Sequence, residues 1–344
     1  MKNKKALYII LIFLLTFNLI GCNKNLDSNP TLITDDLNGV DLEKLNNYEI
    51  QVDFAPDTKS YFASQKTNYT NNTGEELNEI YFHLYPRAYA SVETAPILFD
   101  STTISKENYK TGKMEIKKLK LNKKDVDFEI GGMTDTILRI KLDAPLSPDE
   151  KVEIYMEYIV ELPQNIDRFG YGKNVFNFGN WYPVLAVFDE KGWNLDPYYT
   201  LGDPFYSDMA NYQVKITTPK DIVVAASGNI LSEKTKGDKK TYTIEGKLIR
   251  DFAWAASPDF KIKEVETEGT KIKIYSLKKD AAMEKFAAQV GMNAIEIFSR
   301  IFGKYPYGQY SIVMTEFPTG MEYPGLVFIG KDFFNSHYKG YLET

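Results

Sequence analysis

The sequence is short of the residues on which metal, thiol and imidazole chemistry depend: 344 residues include two histidines and one cysteine. A single cysteine excludes an intrachain disulfide, so the fold must rest on packing and hydrogen bonds. His83 and His337 stand far apart, and no H-E-x-x-H or C-x-x-C pair is present, so no closely spaced zinc ligand set can be written. His83 sits in a strand-like segment and is expected to be structural or at the surface, and His337 to be solvated. No G-x-S-x-G elbow occurs, and neither G-x-G-x-x-G nor a Walker-type lysine follows a strand, which removes the common serine-hydrolase and phosphate-cradle signatures. Basic charge is lacking too. With 41 Lys and Arg against 47 Asp and Glu, the net charge is −6, which gives no electrostatic footprint for nucleic acid.

Apolar residues make up 43 % of the chain and charged residues 26 %, the mix of an ordinary globular protein, and the length suggests about two domains. The 24 Tyr and 21 Phe favour β structure, where rings pack well on a pleated surface. Lys2, Lys4 and Lys5 precede an apolar run over residues 6–20, shorter than the roughly 20 residues that span a bilayer. The run ends in Leu19-Ile20-Gly21-Cys22, which resembles the bacterial lipoprotein cleavage box. Residues 1–21 are therefore expected to be a signal peptide and Cys22 a lipidated N-terminus. That would place the protein on the extracytoplasmic face of the cell membrane, anchored through Cys22. Residues 22–45, rich in Asn, Asp and Ser, read as a flexible tether.

From residue 48 to 54 apolar and polar side chains alternate strictly, which predicts an antiparallel strand with one buried face. Similar segments recur at 80–84, 137–142, 152–160, 212–217, 222–226 and 242–244, separated by turn residues and uninterrupted by helical periodicity. This predicts a mostly β fold: an antiparallel β sandwich or saddle over residues 46–262. Beyond it, Asp280 precedes a helical stripe of Met283, Phe286, Ala287, Val290, Ala294, Ile297, Phe298 and Ile301 that stops at Gly303. Strand-like segments at 271–275, 310–315 and 326–329 surround it. Residues 263–344 thus read as a short α+β second domain. Gly320-Met321-Glu322-Tyr323-Pro324 sets an acidic residue beside a glycine, where exposed backbone could bind an extended peptide and the carboxylate its amine. A plain turn with a surface Glu is the other reading of those residues alone.

Gly320-Met321-Glu322 resembles the G-x-M-E-N signature of the membrane alanyl aminopeptidase family, gluzincin zinc metallopeptidases with a thermolysin-like catalytic domain behind an N-terminal β saddle. Phe302-Gly303-Lys304-Tyr305-Pro306-Tyr307 resembles the stretch that precedes this signature. Residues 81–87, Asn180-Trp181-Tyr182-Pro183, 208–219 and 223–228 resemble the family's N-terminal domain, in the same order. The resemblance covers residues 46–344. It implies peptide substrates, with Glu322 holding a free α-amino group and Gly320 and Met321 lining the path. The signature's Asn is Tyr323 here, which leaves exopeptidase specificity open. The family's H-E-x-x-H helix, third zinc ligand and transition-state Tyr belong downstream of this point, and the chain contains no such helix motif. The resemblance therefore implies zinc for the complete enzyme and none bound by this chain, with 263–344 a truncated start of the catalytic domain. On that expectation the chain is an inactive fragment, and proteolysis would trim it back towards residue 262. The alternative is a non-catalytic surface lipoprotein that binds peptides or a protein partner.

Overall fold

The computed structural model describes residues 30–97, 104–203, 205–277 and 280–334. The signal segment, Cys22 and His337 lie outside them. Alternation in sequence becomes alternation in burial along the strand Asn46–Ala55, where Asn46, Tyr48, Ile50, Val52 and Phe54 are buried and Glu49, Gln51 and Asp53 exposed. It lies inside an eight-stranded sheet ordered Asn229–Lys236, Lys239–Ile249, Ala210–Pro219, Asn46–Ala55, Ser60–Thr70, Lys151–Glu161, Lys113–Leu121 and Lys124–Asp125. Asn46–Ala55 is antiparallel to Ser60–Thr70 but parallel to Ala210–Pro219. The antiparallel expectation thus holds for its hairpin neighbour alone. The partner on its other side arrives after a long excursion that re-enters from the same end of the sheet.

Two four-stranded sheets cover the buried face of the large one. The first is ordered Val223–Ala226, Trp254–Ser257, Phe176–Phe178, Phe169–Tyr171, and the second Val184–Leu185, Leu77–His83, Ile137–Leu146, Glu129–Gly131. Their inward residues and those of the large sheet form one core. Its centre is aromatic. Phe178 stacks on Trp254 at 3.5 Å, and both meet Phe54 of the large sheet edge-on at 5.2 and 5.7 Å. The fold is mostly β and largely antiparallel, a sandwich rather than a barrel.

A five-stranded sheet follows, ordered Lys261–Thr267, Thr270–Ser276, Gln309–Thr315, Leu326–Gly330 and Gly320–Tyr323. Thr270–Ser276 and Gln309–Thr315 are parallel, so the chain crosses over between them through the helix Ala281–Phe302, here α1. The Asp280 carboxylate caps α1 by accepting from the Ala282 and Met283 N–H groups, and Gly303 ends it. Met283, Ala287, Ala288 and Ile295 of α1 pack on Ile272, Ile274, Ile312 and Met314 of the sheet. The opposite sheet face, with Tyr275, Val313, Leu326 and Phe328, packs on Val175, Ala225, Ala253 and Ala255 of the β domain. The sheet is therefore held between α1 and the β domain.

Residues 22–45 read as a flexible tether, but from Pro30 onward the chain is docked. Ile33 N–H donates to Pro306 O at 2.8 Å, Gly308 N–H to Thr31 O at 3.1 Å, and Asn229 Nδ2 to Pro30 O at 3.0 Å. Leu32, Ile33 and Leu37 are partly buried, which polar composition alone did not reveal.

Candidate functional site

Gly320, Met321 and Glu322, proposed from sequence to face a peptide, form with Tyr323 a strand and not a turn. Gly320 pairs with Ile329, Met321 with Phe328, Glu322 with Val327 and Tyr323 with Leu326. The tight Pro324-Gly325 link makes this possible. Gly325 has φ of 74°, and a Cβ there would stand 3.4 Å from Gly228 N. Gly320–Tyr323 is last in the sheet order, so its outer backbone groups face no strand among the described residues. The other edge, Lys261–Thr267, carries exposed Lys261, Glu264 and Glu266, charges of the kind that discourage strand addition. The Gly320–Tyr323 edge is short and carries one charge, Glu322.

Register places the side chains. Leu326 and Phe328 face the β domain, and so do their partners Met321 and Tyr323. Val327 faces α1, so Glu322 opposite it does too, and its side chain is exposed. Burial raises the Tyr310 hydroxyl's pKa, and the Glu322 charge adds to the shift. Beside Gly320, α1 and the sheet enclose an apolar cavity of about 390 Å³, lined by Phe286, Val290, Tyr310, Val327 and Phe333 among others. A carboxylate and an open strand edge therefore adjoin an apolar hollow, an arrangement suited to an extended peptide with a cationic end.

Tyr323 points the other way. Its ring packs edge-on against Phe328 at 5.2 Å, and its hydroxyl reaches Gly179 of the β domain. Near that hydroxyl lie the charges of Asp251, Arg168 and Asp167. Asp251 is half-buried and accepts from Asn180 Nδ2 at 3.2 Å and Tyr182 Oη at 3.3 Å. Burial pushes its pKa up to about 6. A second tie precedes the strand: the Glu316 carboxylate accepts from Asn174 N–H at 3.1 Å and Asn174 Nδ2 at 3.3 Å. The sequence singled out Tyr323 only as the departure from the signature's Asn, and gave no place in this region to Gly179, Asp251 or Glu316. The Asn180-Trp181-Tyr182-Pro183 segment was the only signal near them.

His83 takes no part. It is buried, stacked on Tyr85 at 4.9 Å, with Nε2 3.0 Å from Asn194 O, and burial pushes its pKa down to about 4. It is a neutral core residue. Among the described residues no group of three or more His, Cys, Asp or Glu side chains stands where it could hold a metal ion. These residues do not fit a zinc site.

No family model and no curated protein matches the chain. Solved structures do. An M1 zinc metallopeptidase from Deinococcus radiodurans is similar with a TM-score of 0.56 at 14 % identity, over 83 % of this chain and 60 % of its own. The chain shares the fold of the matched part of this M1 zinc metallopeptidase. A mutant of the Deinococcus radiodurans M1 enzyme gives 0.54 at 15 % identity, covering 84 % of this chain and 60 % of that one. A two-domain M1 zinc metallopeptidase mutant bound to L-arginine gives 0.55 at 15 %, with the same coverage. At such identity the M1 likeness is one of fold. This chain spans 60 % of the length of those M1 structures.

Proposed function

We propose that this chain is the N-terminal, peptide-binding part of a lipid-anchored zinc metallopeptidase of aminopeptidase type, whose zinc-carrying elements lie outside these residues. The observation that carries this reading is the open Gly320–Tyr323 edge with Glu322 exposed upon it. A peptide lying along the edge bonds through its backbone, and its terminal ammonium meets the carboxylate. Zinc, in the complete enzyme, supplies an activated water. Among the described residues no group of three or more His, Cys, Asp or Glu side chains could hold zinc, and this chain by itself is expected to hydrolyse nothing. Stoichiometric zinc together with metal-dependent hydrolysis of aminoacyl substrates would refute that. Anchoring rests on Cys22: labelled fatty acid should be incorporated into the wild-type chain and not into Cys22→Ser.

Peptide binding is tested on the chain from residue 23 onward, which lacks the apolar run and Cys22, with tetra-alanine, free or N-acetylated at its amine. The free-amine peptide should shift the amide resonances of residues 319–323. It should also bind about two- to fivefold more tightly than the acetylated form, the range of an exposed ion pair. Glu322→Gln should abolish that preference. Equal binding of both forms, or shifts confined to other strands, would refute the assignment of this edge. The alternative, a non-catalytic lipoprotein that binds peptides, uses the same edge and differs only in having no zinc-carrying remainder.

A further inference from the structure

Among the described residues the Gly320–Tyr323 strand is paired along one side only. What fixes its distance from the β domain is side-chain contact on the face that Met321 and Tyr323 share. Tyr323 makes the longest reach. Its hydroxyl lies so close to Gly179 that a Cβ built there would stand 2.1 Å from Oη and 3.0 Å from Cζ. Gly179 cannot easily retreat, since its own N–H donates to Arg168 O at 2.8 Å, and that same Cβ would lie 3.0 Å from Arg168 O. The hydroxyl has no hydrogen-bond partner among the described residues. Its contribution is therefore the length and rigidity it adds to the ring and not a bond it makes.

We infer that Tyr323 is a positioning residue, a spacer seated on the bare backbone of Gly179 that sets the height of the Gly320–Tyr323 edge above the β domain. The residue type at 179 then decides where the edge stands, through contact with the tyrosine hydroxyl. The consequence for peptides rests on the function proposed above. The mechanical part does not.

The test uses native-state amide exchange in the chain from residue 23 onward, with residues 320–323 read against the Asn46–Ala55 strand as internal reference. Gly179→Ala should speed exchange at 320–323 by about tenfold and leave the reference strand unchanged, because the new methyl displaces the hydroxyl. Tyr323→Phe alone should speed exchange at 320–323 by about two- to threefold, less than Tyr323→Ala, because the spacer is shortened by one atom while the ring stays in place. The double variant Gly179→Ala with Tyr323→Phe should recover at least half of the logarithmic change, since the closest clash disappears and the 3.0 Å approach to Cζ remains. A double variant as fast as Gly179→Ala alone, or Tyr323→Phe exchanging as fast as Tyr323→Ala, would overturn the inference. The peptide reading fails separately: exchange that follows this pattern while tetra-alanine shifts no resonance at 319–323 leaves the spacer standing and removes the peptide.

Discussion

One half-buried carboxylate gives the molecule a pH dependence that its composition does not announce. Asp251 lies in the irregular segment before Trp254–Ser257, where burial outweighs the stabilising Phe252 N–H and Tyr182 Oη and raises its pKa from 3.8 to about 6. The neutral acid is favoured by the folded state. Its contribution to stability is fully present below the unfolded value of 3.8 and is lost as pH rises through about 6. Asp251→Asn removes this term. The stability of the variant relative to wild type should rise by about 2–3 kcal/mol between pH 4 and pH 7, from the size of the shift. Urea unfolding at a series of pH values reads the difference directly, and a difference flat across that range would show that Asp251 is not held neutral. Nothing in Leu248-Ile249-Arg250-Asp251-Phe252 announces this, because the burial comes from Asn180 and Tyr182, distant in sequence.

At the scale of elements, legibility tracks how local the deciding interaction is. The alternation at 48–54 and 152–160 reads directly as strands because one face is buried along the whole length. Lys113–Leu121 escaped notice because its lysines interrupt the period, and a register shift between Ile116 and Lys118 breaks the ladder there. Helix α1 was legible at both ends because caps are local chemistry. Asp280→Ala leaves the Ala282 and Met283 N–H groups without their acceptor and should cost about 1 kcal/mol in urea unfolding. At the hairpin, a side chain at 325 must adopt φ of 74° and also meet Gly228 N. Gly325→Ala should therefore cost about 1–2 kcal/mol by the same measurement. No cost would mean that the Pro324-Gly325 link relaxes freely. The Gly320–Tyr323 strand itself was half legible. Its residues stood out by resemblance, but that they pair as a strand and open an edge depends on Leu326–Gly330 folding back on them.

At the scale of the whole molecule, the sequence suggested a second domain that proteases would strip away, whereas the contacts argue for one cooperative unit. The five-stranded sheet shares a core with the β domain through Phe260, Tyr275, Val313, Leu326 and Phe328. Polar ties surround that core: Tyr307 Oη donates to Leu248 O at 2.8 Å, and Gln309 Nε2 to Gly228 O at 3.0 Å. The Pro30–Ile33 stretch bonds to Asn229 on one side and to Pro306 and Gly308 on the other. An interface with a shared core and a strap across it couples the unfolding of its two sides, since exposing either leaves apolar surface on the other. The chain offers two separate reporters. Its three tryptophans, Trp181, Trp193 and Trp254, all belong to the β domain, while α1 is the one α-helix among the described residues and belongs to the other side. Tryptophan fluorescence and the helical circular-dichroism signal should therefore report coincident urea transitions, and removing residues 30–37 should move both midpoints down together. Loss of the helical signal at lower urea than the fluorescence change would mean that the second sheet melts alone, and that the shared core and strap are too weak to join the two.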